Sequence, residues 1–130
     1  MMKIHYIIII TIIFGDFLKY DYEVESFKDK EEAENLLELS RNRIDEIDND
    51  LIDLITQRTA LAKNIALAKE YLGMPIYDKT REDIVHKKIE KLSDEAGLDS
   101  EVVDQIVNML TILSKNEQKE ILRRNVDGQY

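Results

Sequence analysis

Residues 44–72, IDEIDNDLIDLITQRTALAKNIALAKEYL, decide the fold. Ile44, Ile47, Leu51, Leu54, Arg58, Leu61, Ile65, Ala68 and Leu72 follow one another at alternating steps of three and four. A spacing of about 3.5 residues is a heptad seam, so the segment reads as a long amphipathic helix. It stops at Gly73, with Pro75 two residues on, the punctuation of a helix C-terminus. Taken from Glu32 to Tyr71, such a helix is ~60 Å long at ~1.5 Å per residue. Two shorter helices of the same chain do not cover that length, so the seam is expected to pack along a second copy of itself.

Outward from this helix the pattern stays helical. Gly73 to Tyr77 reads as a turn, and Asp78 as the N-cap of a second helix with the stripe Ile84, Val85, Ile89 and Leu92, ending near Ala96-Gly97. Asp99 or Ser100 caps a third helix, whose stripe is Val103, Ile106, Val107, Leu110, Leu113 and Ile121, ending between Val126 and Gly128. No strand pattern follows residue 20. The expected class is all-α, three helices of which one is very long. The working domain is expected over residues 36–126, with residues 1–35 as an N-terminal extension and 127–130 as a tail.

Composition narrows the chemistry. The chain of 130 residues is 44% hydrophobic and 35% charged, with one Pro and four Gly, which suits one domain of long amphipathic helices. It has no cysteine and two histidines, His5 and His86, far apart in sequence, so thiolate chemistry, a metal centre and a Ser-His-Asp triad are not expected, nor is a cofactor. The net charge of −9 speaks against nucleic acid as a partner, while leaving room for a small anion in a locally cationic pocket. Residues 4–14 form a β-branched apolar run, shorter than the ~20 residues of a spanning helix, so membrane contact is not expected. Three readings fit this run: an export signal with a weak basic start at Lys3 and no small-x-small cleavage site, a peripheral strand or partner contact, and an extension foreign to the domain, such as a start codon placed too early. The localisation expected is cytoplasmic, or exported if the run is a signal.

The informative residues break the stripes. Arg58 takes a seam position where an apolar side chain belongs. A buried guanidinium is costly unless paired, so it is a snorkelling or register-setting residue or part of a site. Lys69 lies eleven residues on, within about 20° of the same face and ~16 Å along the axis, a spacing that could bracket a dianion. On the third helix Ser114 and Gln118 interrupt a stripe that Ile121 and Leu122 resume, and both can donate hydrogen bonds. Asp78-Lys79-Thr80-Arg81-Glu82 is either a capped helix start with carboxylates favoured by the dipole, or a ligand-binding turn with a cation and an acceptor.

Together these residues carry a resemblance. Arg41-x-x-Ile44-x-x-Ile47-Asp48-x-x-Leu51-x-x-Leu54-Ile55-x-x-Arg58, followed by Ala62, Ala68-Lys69, Pro75-Ile76, Asp78, Arg81-Glu82, Ser114 and Gln118 without a gap, resembles the all-helical (AroQ-class) chorismate mutases. The resemblance covers about two-thirds of the chain; residues 1 to about 35 depart from it. It implies an intertwined helical homodimer that converts the dianion chorismate to prephenate by an intramolecular Claisen rearrangement, in the Phe/Tyr branch of aromatic amino-acid biosynthesis. By the same resemblance Arg58, Lys69 and Gln118 are catalytic. Arg58 and Arg41 bind the carboxylates, Lys69 reaches a carboxylate and the ether oxygen, and Gln118 donates to that oxygen. Glu82 with the Asp78 backbone holds the ring hydroxyl, Ser114 assists at a carboxylate, and Arg81 adds electrostatic support. The alternatives are an isochorismate-pyruvate lyase of related fold, or a helical dimerisation or regulatory module without activity.

Spacing adds a constraint of its own. Arg41 precedes Arg58 by seventeen residues, which on a straight helix is ~25 Å, too far for one small ligand to touch both. Arg41 is therefore expected to serve the other subunit's site. Mixing Arg41→Ala with Arg58→Ala subunits should restore activity, because one of the two sites in a mixed dimer is then intact. A mixed population as inactive as its parents refutes the shared site.

Overall fold

The computed structural model describes residues 26–128, and the apolar run 4–14 lies outside them. Four helical segments follow one another: α1 (Lys30–Ala60), α2 (Ala62–Leu72), α3 (Lys79–Glu95) and α4 (Ser100–Val126). No strand occurs among the described residues. The expected first helix is present as α1 and α2 with a bend at Leu61. That residue keeps αR geometry (φ −65, ψ −17), and Ile65 N–H still donates to the Leu61 carbonyl at 3.1 Å. One turn upstream the Thr56 hydroxyl donates back to the Ile52 carbonyl at 2.8 Å, an interaction that tends to bend helices. The architecture is thus three helices, as the periodicity predicts, with a bend in the longest that it does not.

The ends are set by the residues the sequence nominates. Gly73 adopts φ 67, the left-handed conformation that favours glycine, and its N–H and that of Met74 close on the carbonyls of Glu70 and Lys69. The Asp78 carboxylate accepts from Arg81 N–H at 3.0 Å and starts α3. At the next start it is Asp99 that caps, accepting from the N–H groups of Glu101 and Val102 at 3.1 and 3.2 Å. At the far end of α4, Glu120 accepts from Arg123 and Arg124, and Arg123 also pairs with Asp127 at 3.0 Å.

The chain divides into two compact units, one ending at Asp48 and one running from Asn49. In the second, α4 packs against both α2 and α3. The face of α2 that meets α4 is built on Ala62 and Ala66, both fully buried; with only a methyl each, they let the backbones approach. The His86–Asp104 pair links α3 to α4, and the buried Ser93 satisfies its hydroxyl within α3 by donating to the Ile89 carbonyl at 2.7 Å.

Among the described residues, the apolar side chains of the heptad seam are left exposed. No residue of α1 is buried, and Leu54 is 61% exposed. Along α4, Val103, Val107, Leu110 and Ile121 turn inward as expected, but Ile106 and Leu113 do not. They join Val102 and Met109 in a second, exposed apolar stripe at helical spacing. Ile84 and Leu92 of α3 are likewise exposed. Only Ala62, Ala66 and Ile121 are buried apolar residues among those described, far too few to offset the ~1–2 kcal/mol of backbone entropy per ordered residue. No described helix is long and apolar enough to cross a membrane.

Hydrogen bonds from Arg123 first and Arg124 second hold the Glu120 carboxyl down at about 2, against the usual 4.5. A depressed folded-state value stabilises above the unfolded one and is lost only as pH falls through the folded one. The clamp at the end of α4 should therefore persist from neutral pH down through pH 4 and fail near pH 2. A carboxyl-carbon NMR titration of Glu120 checks this; a midpoint near 4.5 contradicts it.

Candidate active site

The second unit gathers most of the stripe-breaking residues around α4. Lys69 stands on the same face of α2 as Ala62 and Ala66, and its ammonium donates to the Ile76 carbonyl at 2.6 Å and to Gln118 Oε1 at 3.3 Å. The Gln118 amide in turn donates from Nε2 to the Ser114 hydroxyl at 3.2 Å. Gln118 is only 4% exposed, and no buried side-chain polar atom among the described residues lacks a partner. This chain of contacts fixes chemistry as well as position. An ammonium only donates, so it draws the amide oxygen toward itself and turns the NH2 away. Of the two Nε2 hydrogens, Ser114 takes one.

Arg58 sits half-buried where the exposed seam and the α4-facing side of the long helix meet. Its Nη1 donates to the Leu110 carbonyl at 3.0 Å. The guanidinium thus reaches across to the α4 backbone. One N–H of five is engaged by that bond, and a guanidinium fork binds carboxylates in two-point fashion. Arg58 and Lys69 touch α4 eight residues apart, at Leu110 and Gln118, or ~12 Å along that helix. Between these two points lie Ser114 and Lys115.

Lys115 was not singled out by the sequence pattern. Its Nζ pairs with Glu82 Oε1 at 2.9 Å and lies 5.4 Å from the centroid of the Tyr77 ring. This ties the first turn of α3 and the 73–78 turn to α4. A lysine beside a serine on an amphipathic helix looks like a solvated residue. Its partner, 33 positions earlier, is brought close only by tertiary packing. The carbonyls of Leu110 and Ile76 were equally invisible, because backbone acceptors carry no signal in side-chain identity.

The remaining expected residues make other contacts. Asp78 uses its carboxylate as the N-cap, accepting from the backbone of Arg81, and its own carbonyl accepts from Glu82 N–H at 3.0 Å. Arg81 is exposed on the first turn of α3. Arg41 is exposed on α1 and belongs to the unit ending at Asp48. A separate open hollow is lined by Ile55, Thr59, Glu117 and Ile121 and contains none of the site residues.

This all-helical unit brings a guanidinium, two ammonium groups and an oriented amide together on facing helices, groups whose chemistry suits a small anion. Comparison with known proteins makes the class specific. The family model of chorismate mutase type II matches residues 40–119, a stretch that spans every expected site residue from Arg41 to Gln118. The chain belongs to that family, and its activity is that of a chorismate mutase, isomerising chorismate to prephenate. It is 40% identical over 89 residues to the chorismate mutase of Methanocaldococcus jannaschii, covering 68% of this chain and 89% of the relative. It is 29% identical over 84 residues to the bifunctional chorismate mutase/prephenate dehydratase of Buchnera aphidicola subsp. Schizaphis graminum, covering 65% of this chain and 22% of that longer protein.

Replacing Lys69 by Met removes both the cation and the group that orients Gln118. Mutase activity should fall by about a hundredfold or more, the usual cost of losing one preorganised donor. The melting temperature should fall as well, since the buried Gln118 amide oxygen loses its donor, while the helical fold persists. Steady-state kinetics with a circular-dichroism melt check this; an active Lys69→Met enzyme contradicts it.

Proposed function

We propose that the chain performs its rearrangement as a homodimer, with Lys69 and Gln118 at the reacting ether oxygen and Arg58 at a substrate carboxylate. The observation that carries this reading is the Lys69–Gln118–Ser114 chain of hydrogen bonds, which leaves an amide N–H oriented beside an ammonium. In a Claisen rearrangement one C–O bond breaks as a C–C bond forms, and negative charge builds on the oxygen. No proton moves and no bond to the protein forms. What a protein can supply is a compact substrate conformer and donors already aimed at the oxygen. Lys69 and Gln118 are suited to the second task.

Arg58 suits the first, gripping a carboxylate while its other end is tied to the Leu110 carbonyl. Ser114, next to Gln118 in the same chain, assists at a carboxylate. Glu82, with the Asp78 backbone, accepts the ring hydroxyl, and Arg81 contributes long-range positive charge. Arg41 is assigned to the site of the partner subunit. The ~25 Å helical spacing from Arg58 supports that assignment, as does the unfilled seam of α1 and α2, which needs an apolar partner. A second copy supplies one with the same periodicity, and isologous pairing covers both seams at once. The exposed stripe of Val102, Ile106, Met109 and Leu113 on α4 offers further surface for the same partner.

The test is a direct chorismate-to-prephenate assay with sedimentation of the same sample. A dimer with mutase activity is expected, and Arg58→Ala should lose about a hundredfold or more while remaining a dimer. If Arg58→Ala stays active, or if the dimer dissociates, Arg58 is a register residue instead.

A further inference from the structure

A carboxylate beside the binding place of a dianion opposes binding, because like charges within a few ångströms repel strongly where water is partly excluded. Glu82 is such a group, with its side chain 21% exposed on the first turn of α3. Its usefulness as a hydroxyl acceptor and its cost to anion binding arise from the same charge. Lys115 meets that charge directly, with Nζ 2.9 Å from Glu82 Oε1 and its own side chain 28% exposed. The ammonium is also 5.4 Å from the Tyr77 ring centroid, a cation–π distance. It is thus fixed from three sides: its own helix α4, the start of α3, and the turn between α2 and α3. On α4 it follows Ser114 directly and precedes Gln118 by three residues, so the ion pair borders the oriented amide.

We propose that Lys115 is a positioning residue of the mutase site: it neutralises Glu82 and fixes its carboxylate, so that an acceptor for the substrate hydroxyl stands in a pocket that remains cationic. This rests on the role given to Glu82 above. One carboxylate oxygen faces Lys115, and a carboxylate has about four lone-pair sites, so the group keeps acceptor capacity for a ligand. Because the repulsion relieved by Lys115 acts on the dianion in its ground state and transition state alike, losing the lysine raises KM more than it lowers kcat. A plain strut between α3 and α4 has no such signature.

The experiment is a kinetic double-mutant cycle on the full chain with chorismate, using Lys115→Met, Glu82→Gln and the pair. Lys115→Met should lower kcat/KM by about tenfold, mostly through KM, and added salt should recover part of the loss by screening the uncompensated carboxylate. In the Glu82→Gln background the same change should cost less than about twofold, since no charge is left to neutralise. Lys115→Arg, which keeps the cation, should stay within about threefold of the parent. Equal losses in both backgrounds, or a Lys115→Met enzyme as good as the parent, overturn the proposal. If Lys115→Met does not fold, Lys115→Gln carries the same cycle; failure of both to fold means the lysine is a strut, and also overturns it. An unimpaired Glu82→Gln enzyme would instead remove Glu82 from the site, a separate outcome that the single variant reports by itself.

Discussion

Two methyl groups set the distance on which everything in the second unit depends. Ala62 and Ala66 are fully buried on the face of α2 that meets α4, and their small size brings the two helices close. Only at that distance does the Lys69 ammonium reach Gln118, and Arg58 the Leu110 carbonyl. A larger side chain at either alanine would push α4 outward and lengthen both bonds at once, because interiors packed to this density do not absorb an extra methylene locally. Packing and chemistry are thus carried by one helix face, with alanines as its floor and cations at its two ends.

Polarity is arranged along α4 with similar economy. Ser114, Lys115 and Gln118 occupy what would otherwise be apolar surface, and each has a partner: the amide of Gln118, the carboxylate of Glu82, the ammonium of Lys69. A donor-only group at one end of this network leaves the amide one orientation that keeps both its ends bonded. A half-satisfied network would be costly in so small a core, and here no described buried side-chain atom is left without a partner. The proposed site is preorganised by its own hydrogen bonds, which suits a reaction that requires positioning and electrostatic stabilisation rather than a nucleophile.

The large exposed apolar surface has a different meaning. A single chain buries three apolar residues among those described and leaves Ile44, Ile47, Leu51 and Leu54 open. Scattered exposed leucines are ordinary, whereas a continuous stripe at heptad spacing is an interface in waiting. That stripe is the surface on which the proposed homodimer rests. The same arithmetic explains why the heptad, strict in sequence, is not the face that meets α4: that face is rotated from the seam, and Arg58 lies at the boundary between them.

The choice between Asp99 and Ser100 as the last cap was made by the structure, whereas helix positions, the cap at Asp78, the stop at Gly73 and the identity of the polar intruders were all legible in the sequence. These depend on local rules, periodicity and capping chemistry, that act within a few residues. The bend at Leu61 was not legible, since neither proline nor glycine marks it. Nor were the outward turn of Ile106 and Leu113, which helical periodicity cannot distinguish from their inward neighbours when a helix has two apolar faces. The partners of the intruders were decided by tertiary structure alone. Lys115 meets Glu82, Arg58 meets a carbonyl on α4, and Lys69 orients Gln118 across separations of 33, 52 and 49 residues. Sequence fixes which groups carry charge and which side of a helix they occupy; the approach of one helix to another, set here by two alanines, decides which of those groups can touch.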